Sequence, residues 1–266
     1  LKSAKFNYNA AINNLVYKPG NSLFELINLT TVTRVNQFFT SISSTVRKRI
    51  KNHKLQQILE LPVLFLGAKP TNTPSFYNFM NYADFGLGTW HPKGGMYEVV
   101  NAFVRLATEL GVEIQANQSV EEIVVEQGTV KGVKTTDYFY ESDFVVSGAD
   151  YHHTETLLPK KFRAYSEKYW ENKTFAPSSL LFYVAFDKKI KNVEHHTLFF
   201  DTSFDVHAQD IYDNPKWPKE PLFYASFPSL TDTSFAPDSK EAATFLIPLA
   251  PGLDDIPEVR EEYFQK

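Results

Sequence analysis

Glu25 is a carboxylate whose position in the sequence could support proton transfer. It lies within the otherwise apolar stretch Ser22-Leu-Phe-Glu-Leu-Ile27. A carboxylate that faces an apolar pocket has a raised pKa and can exchange a proton with a bound molecule. Ser22 favours a second interpretation, because Ser followed three residues later by Glu forms a capping box at the start of a helix. On the pattern alone, the cap is the simpler interpretation.

The sequence lacks the patterns that are typical of metal sites, thiol chemistry, serine hydrolases and nucleotide-binding loops. Two histidine doublets, His152-His153 and His195-His196, are present, but neighbours on a strand point to opposite faces, so we predict no metal site. The absence of cysteine excludes thiolate chemistry and disulfides. There is no GxSxG elbow and no Walker motif, and the pair Gly86-Leu-Gly88 lacks the third glycine of a dinucleotide-binding turn.

The composition is that of a globular protein with many aromatic residues. The 266 residues are 43% hydrophobic and 22% charged, with a net charge of −4, which excludes a disordered chain and argues against nucleic acid as a partner. Aromatic residues make up 15% of the chain. This content fits either a core of large side chains or a site for a long apolar ligand. No apolar run is long enough to cross a membrane. The chain does not begin with Met, and we expect further residues beyond both of its ends.

Helices are predicted for the first 62 residues, and residues 32–50 have the apolar spacing of one amphipathic helix. The basic run over residues 46–54 is either a solvated helix face or a contact with lipid headgroups. Residues 63–95 form Gly- and Pro-rich loops around a short helix, with enough apolar side chains that we expect them to pack against another surface.

A helix followed by strands is predicted for the rest of the chain. The helix covers residues 96–111 and ends at Gly111. Alternating residues predict strands at 112–116, 120–126, 129–135 and 138–140, and a buried strand at 144–147. Residues 155–170 and 258–266 are predicted to be helical, with strands at 179–186, 197–200, 222–227 and 243–249 between them.

Several segments form an ordered set of motifs. Trp90-His-Pro-Lys-Gly-Gly95 is an aromatic-x-Pro-x-Gly-Gly loop, and a helix, the strand Val120-Glu-Glu-Ile123 and the strand end Val145-Val-Ser-Gly-Ala-Asp150 follow it. Further segments in the same order are Ser22–Leu26, Leu66–Pro70, Glu194–Leu198 and Thr231–Pro237. The set resembles the phytoene desaturase (phytoene dehydrogenase) family of FAD-dependent carotenoid oxidoreductases over nearly the whole chain.

This resemblance implies an α/β (α+β) fold, the central part of a two-domain FAD/NAD(P)-binding flavoprotein. Residues 1–85 would be the helical part of the substrate domain, a cap that contacts membrane and substrate. Residues 86–159 would be an inserted portion of the FAD domain, a helix plus a β-meander. Residues 160–266 would be a mixed sheet of the substrate domain. The glycine-rich FAD turn of the family is missing from this sequence, so we expect these 266 residues by themselves to be inactive as a desaturase.

The resemblance also assigns six residues to the cofactor, FAD. They are Gly94 and Gly95, whose backbone would approach the flavin, Val120, whose strand would meet the adenine, and Ser147, Gly148 and Ala149 near the nucleotide. Many relatives have Asn where this chain has Gly148.

The implied reaction is desaturation of a long-chain carotenoid such as phytoene. A hydride leaves one carbon for the flavin, and a proton leaves the neighbouring carbon for a base. Glu25 falls where relatives carry a carboxylate proposed as acid or base, so either Glu25 or water would take the proton. The substrate is an apolar polyene of the bilayer, which implies a peripheral membrane contact through about residues 32–85 on the cytoplasmic side.

Two alternatives stay open. The first is another flavoenzyme on the same scaffold: a later-step carotenoid desaturase, a polyene isomerase or an amine oxidase. The second is a non-catalytic module that binds an apolar ligand or a membrane, which would explain the aromatic residues but not the ordered motifs.

Overall fold

The computed structural model describes residues 1–19, 21–27, 29–173 and 175–266 as two compact units. Unit one comprises Leu1–Met96 and Ala176–Lys266, and unit two comprises Tyr97–Phe175. The units divide at residues 97 and 176, later in the chain than the predicted boundaries at 86 and 160. Their assignment to a substrate domain and an FAD domain stays a prediction.

The amino-terminal part of unit one is helical, as the sequence predicts. Its helices are α1 (Lys2–Ala10), α2 (Leu29–Val32), α3 (Asn36–Phe39), α4 (Ile42–Arg49), α5 (His53–Glu60) and α6 (Phe79–Leu87). A π-helical turn at Ala11–Leu15 extends α1, and 3-10 turns lie at Leu23–Leu26, Leu61–Leu66 and Ser75–Asn78.

The prediction of one continuous helix over residues 32–50 is wrong. The segment is interrupted by a turn at residues 33–35 and again at Thr40 and Ser41. At the second interruption the backbone pairs with a distant segment instead of with itself. The Ile42 N–H donates to the Thr73 carbonyl at 2.9 Å, and the Thr40 carbonyl accepts from the Ser75 N–H at 2.6 Å. Ser41 then caps α4 by accepting from the Ser44 N–H at 3.1 Å.

The carboxy-terminal part of unit one is a four-stranded sheet with two helices. Its elements are β4 (Ser178–Phe186), β5 (His196–Phe199), α10 (Phe204–Tyr212), β6 (Phe223–Ser226), β7 (Glu241–Leu249) and α11 (Pro257–Gln265). The predicted strands and terminal helix are confirmed to within two residues at each end. The strand order is β4-β7-β6-β5 and every pair is antiparallel, so the expectation of a mixed sheet is wrong. Two strands can pair in parallel only if a crossover connection brings the chain back in the same direction. No described strand pair in this sheet is arranged in that way.

One face of this sheet packs against α11 and also lines a cavity of about 590 Å³, and the other face is open. On the packed face, Phe182 contacts Phe264 of α11, with ring centroids 5.5 Å apart, and Phe223 and Phe245 lie in the same core. On the open face, four side chains form one cross-strand row, because Leu198 pairs with Tyr224, Tyr224 with Leu246, and Leu246 with Leu181.

Unit two consists of a helix, a β-meander and two short helices. Its elements are α7 (Tyr97–Glu109), β1 (Val120–Glu126), β2 (Thr129–Thr135), β3 (Phe139–Glu141), α8 (Tyr151–Thr156) and α9 (Glu167–Glu171). The helix ending at Gly111 and the β1–β2 hairpin are confirmed, with Gln127 and Gly128 at positive φ in its turn. The predicted helix over residues 155–170 is wrong, because residues 157–166 separate α8 from α9.

The strands predicted at residues 112–116 and 144–147 are not formed. Phe144 is 86% exposed and Val146 is 96% exposed, so this apolar segment is not a buried strand. No strand within the described ranges pairs with either segment. A strand exists only where a neighbour accepts its backbone hydrogen bonds, which explains the failure of the pattern. None of the described helices combines the length and apolar character needed to span a membrane.

Candidate functional site

A polar cavity of about 570 Å³ lies within unit one. Its walls come from the loop over residues 89–93, from His195 and His196 at the start of β5, and from residues 231–233 of the loop after β6. Segments distant in the sequence thus meet at one surface. One of them, residues 89–93, directly precedes the double glycine of the predicted motif.

The conformation of the double glycine is held by contacts with the loop after β6. Gly94 and Gly95 have φ of 87° and 97°, a region that favours glycine. The Gly94 N–H donates to the Asp232 carboxylate at 2.6 Å, and a Cβ on Gly95 would lie 2.8 Å from the ring of Phe235. The loop therefore needs glycine at both positions for backbone geometry, and at Gly95 also for space.

Asp232 is a nearly buried carboxylate whose hydrogen bonds favour its charged form. Besides the bond from Gly94, it accepts from the Ser234 N–H at 3.0 Å and from the Ser234 hydroxyl at 2.7 Å. These bonds, the one from Gly94 first, lower the pKa of Asp232 to about 2. The cavity consequently carries one fixed negative charge at neutral pH.

Three histidines form a contiguous cluster in the cavity wall. The ring centroids of His91 and His195 are 4.6 Å apart, and those of His195 and His196 are 4.4 Å apart. His195 Nδ1 contacts the Thr231 hydroxyl at 2.5 Å, and His196 Nδ1 contacts the Tyr224 hydroxyl at 2.6 Å. Tyr224 belongs to the open row of the sheet, so the cluster and the row are joined through His196.

The surroundings of His195 and His196 lower the pKa of both side chains. Desolvation lowers the pKa of His195, and the neighbouring His196 and His91 lower it further. Desolvation and then His91 lower the pKa of His196, while Asp84 opposes this shift. His91 Nε2 is buried and has no hydrogen-bond partner among the described residues. No set of three or more His, Cys, Asp and Glu residues in the described part of the chain has the arrangement of a metal site.

Glu25 lies in the 3-10 turn Leu23–Leu26 and is not among the described residues that line this cavity. Its carboxylate accepts from the Asn21 N–H at 3.1 Å, and the Ser22 hydroxyl accepts from the Phe24 N–H at 3.2 Å. Ser22 is thus the predicted N-cap, with Glu25 bonded one residue earlier than in a standard capping box. The catalytic role of Glu25 stays a prediction.

The other predicted cofactor residues belong to unit two. Val120 begins β1 opposite Thr135. The Ser147 hydroxyl is 2.7 Å from the Thr154 hydroxyl and accepts from the Ala149 N–H at 3.3 Å, and a Cβ on Gly148 would meet nothing within 4 Å. Ser147, Gly148 and Ala149 therefore form one exposed turn before α8, and their role in binding a nucleotide stays a prediction.

Sequence reasoning missed the histidine cluster and Asp232. It treated His195 and His196 as neighbours on one strand, whereas β5 begins at His196 and His195 lies in the preceding loop. Both rings can therefore line the same cavity. The available signal was that His91 and Asp232 each lie within a segment of the ordered motif set.

Comparison with known proteins identifies relatives of this chain. It is similar to a carotenoid 3,4-desaturase of Haloarcula japonica, with 39% identity over the whole chain and 54% of the relative. It is also similar to a zeta-carotene-forming phytoene desaturase of Myxococcus xanthus, with 27% identity over the whole chain and 53% of the relative. The chain thus spans about half the length of these curated relatives, and the resemblance predicted from the sequence is confirmed.

Solved structures agree on the fold. An oxidoreductase from Methanosarcina mazei aligns with a TM-score of 0.59 and 16% identity, covering 90% of this chain and 56% of that one. A protein from Pyrococcus furiosus aligns with a TM-score of 0.60 and 16% identity, covering 85% and 53%. The profile of the flavin-containing amine oxidoreductases matches residues 23–243. The chain belongs to the flavin-containing amine oxidoreductase family.

Proposed function

We propose that the protein takes part in the FAD-dependent desaturation of a long-chain carotenoid such as phytoene. The observation that carries this proposal is the apolar row on the open face of the sheet, which leads to the polar cavity. The similarity to proteins named as carotenoid desaturases supports it.

The row provides a surface for a long molecule without polar groups. Leu181 and Leu198, at its two ends, are each 41% exposed. Four strands spaced by about 4.8 Å make the row about 14 Å long. A polyene offers no hydrogen-bonding atoms, so its affinity would come from apolar contacts of this kind.

The residues of unit one fit a flavin beside the row. Family membership implies a flavin, and we propose FAD. Gly94 and Gly95 lack side chains where backbone would approach the ring system, and the unpartnered His91 Nε2 is a hydrogen-bonding atom that a polar ring edge could satisfy. When bound, a flavin accepts a hydride. For the nucleotide, Val120, Ser147, Gly148 and Ala149 of unit two remain the proposed contacts.

Turnover of phytoene tests this function. The holoenzyme that contains this chain is mixed with phytoene in detergent, and longer conjugated products are detected by their visible absorption after chromatography. We expect Leu181→Lys to raise the apparent KM at least 10-fold, because a charged group replaces an apolar contact of about 1.5–3 kcal/mol.

The matched control is Val206→Lys on α10, where Val206 is 55% exposed. It should leave KM unchanged. Oxidation of amines without any change in polyenes would contradict the proposal and support the amine oxidase alternative.

We also propose that the protein contacts the cytoplasmic surface of a membrane peripherally, within residues 32–85. Leu55 and Ile58 lie three residues apart on α5 and are 49% and 44% exposed, with Lys51 and Lys54 beside them. Apolar groups flanked by lysines suit a bilayer with anionic headgroups. Arg47, from the same basic run, is not free for lipid, because it bonds both carboxylate oxygens of buried Glu60 at 2.9 Å.

A further inference from the structure

The hydrogen bonds around His195 define which of its ring nitrogens carries the proton. Nδ1 lies 2.5 Å from the Thr231 hydroxyl oxygen, and that hydroxyl in turn donates to the Pro228 carbonyl at 3.4 Å. A hydroxyl has one proton to donate, and with that proton directed at the Pro228 carbonyl its oxygen would accept from His195 Nδ1, which is the tautomer we infer. The neutral ring therefore carries its proton on Nδ1 and a lone pair on Nε2.

His195 Nε2 has the features of a general base. The ring is half-buried and lines the cavity, and no hydrogen bond to Nε2 is found among the described residues. A base that is oriented by a third group through its other nitrogen, here Thr231, is a recurrent arrangement in enzymes. The lowered pKa described above keeps the ring neutral, which is the form that accepts a proton.

We propose that His195 Nε2 takes the proton that desaturation releases, an inference that rests on the proposed function. A bound flavin would supply the two-electron oxidant, because it would accept one substrate C–H bond's hydrogen together with the bonding electron pair. The C–H bond of the adjacent carbon breaks as its proton passes to Nε2, and the pair left behind forms the new C=C bond.

The cavity supplies a counter-charge for the imidazolium formed in this step. The titratable groups that line it with His195 are His91, His196, Asp232 and Lys93. Of these, only Asp232 is negative, and its low pKa keeps it charged. The positive charge of Lys93 and the desolvation of His195 disfavour the imidazolium, so it should return its proton to water readily.

Glu25 fits this role less well than His195 does. Its carboxylate bonds the Asn21 backbone within a local turn, and it does not line the cavity that adjoins the Gly94–Gly95 loop. Glu25→Gln is therefore compared directly with the histidine variant.

Steady-state kinetics of the same holoenzyme with phytoene form the first test. We expect His195→Gln to lower kcat by about 10²–10⁴-fold, as for loss of a general base, with flavin content and KM retained. The acid limb of the wild-type pH profile should disappear. His153→Gln, an exposed histidine of α8, is the matched control and should leave kcat unchanged. Glu25→Gln in the same assay tests the alternative base, and a larger loss of kcat there than in His195→Gln would overturn the assignment.

Two substitutions at Thr231 separate orientation from folding. Thr231→Val removes the oxygen that holds Nδ1 and should lower kcat while His195 itself remains. Thr231→Ser keeps a hydroxyl and should restore most of the rate. Equal rates for both variants would overturn the proposed orientation of His195 by Thr231.

Imidazole ¹⁵N NMR gives a readout that does not depend on turnover. The signals of His195 are assigned as those that disappear in His195→Gln. In the wild-type spectrum they should show that Nε2 is unprotonated at neutral pH and that the ring titrates with a pKa below the ordinary range of histidine. A protonated Nε2 would overturn the inference. Wild-type turnover with an unaffected His195→Gln rate would overturn the His195 assignment alone, whereas no wild-type turnover would overturn the proposed function and the assignment with it.

Discussion

At the scale of single residues, Asp232 organises the candidate site. Its carboxylate joins the Gly94 backbone to a turn 138 residues further along the chain. Charge-assisted hydrogen bonds from backbone N–H groups are stronger than neutral ones, and here they hold a loop of two glycines that would otherwise have many conformations. The position of this loop beside the histidines therefore depends on one charged group.

Asp232→Asn should reduce stability in a pH-dependent way. The folded-state pKa of about 2 lies below the ordinary value of 3.8, so the charge stabilises the fold above the ordinary pKa and loses that effect as pH falls through about 2. We expect the variant to unfold at lower urea concentration than wild type at pH 7, with a difference that shrinks between about pH 4 and pH 2. Urea titrations followed by tryptophan fluorescence measure this.

Asp238→Asn is the control for that experiment, because Asp238 is exposed and lies in the same loop. It should match wild type at both pH values. A constant difference between Asp232→Asn and wild type at all pH values would show that shape, and not charge, accounts for the loss.

The sequence was informative about the glycine loop and uninformative about the histidines. Gly94 and Gly95 stand in a local motif whose glycines are needed for backbone conformation, and such a requirement is visible within a few residues. The contact of His91 with His195 depends on how a loop and a sheet edge pack together over a hundred residues apart. Periodicity and spacing carry no information about that distance.

At the scale of elements, the β1–β2–β3 meander shows how a glycine can be required inside a strand. Gly132 in β2 has φ of 142°, and a Cβ there would lie 2.0 Å from the carbonyl oxygen of Tyr140 in β3. Backbone cannot move aside as a flexible side chain can, so the two strands would have to separate locally.

Gly132→Ala should therefore destabilise the protein by more than about 2 kcal/mol, the range of backbone clashes in strands. Gly128→Ala is the matched control, because Gly128 has φ of 82° in the hairpin turn and open space around it. It should cost only about 1 kcal/mol for the left-handed conformation. Thermal unfolding measured by circular dichroism compares the two variants, and equal losses would contradict the proposed clash.

Whether a predicted strand forms depends on its partner. β4 and β7 follow their patterns because each pairs along its whole length with the other, from Ser178 opposite Leu249 to Phe186 opposite Glu241. Residues 112–116 and 144–147 have equally suitable side chains but no partner among the described strands. A local pattern thus reports the preference of a segment, and the fold decides whether that preference is met.

At the scale of the whole molecule, the proposed substrate surface and the proposed catalytic cavity both belong to unit one. The open row reaches His196 through Tyr224, whose ring is stacked on the histidine with centroids 5.8 Å apart. An apolar molecule on the row would thus pass beside the surface where His195, His196 and the Asp232 carboxylate meet. This arrangement suits a substrate that is apolar along its length and reacts at one place.

Such a substrate resides in lipid, so the protein should bind vesicles through the α5 surface. Leu55→Ser combined with Ile58→Ser removes two exposed apolar side chains, each worth about 1.5–3 kcal/mol when buried in lipid. We expect at least a 10-fold weaker partition into vesicles with anionic headgroups, measured by flotation. Binding should also weaken at high salt, because Lys51 and Lys54 act through screened charges. Val206→Ser, an exposed apolar residue of α10, should float as wild type does, and equal flotation of the double variant would exclude α5 as the contact.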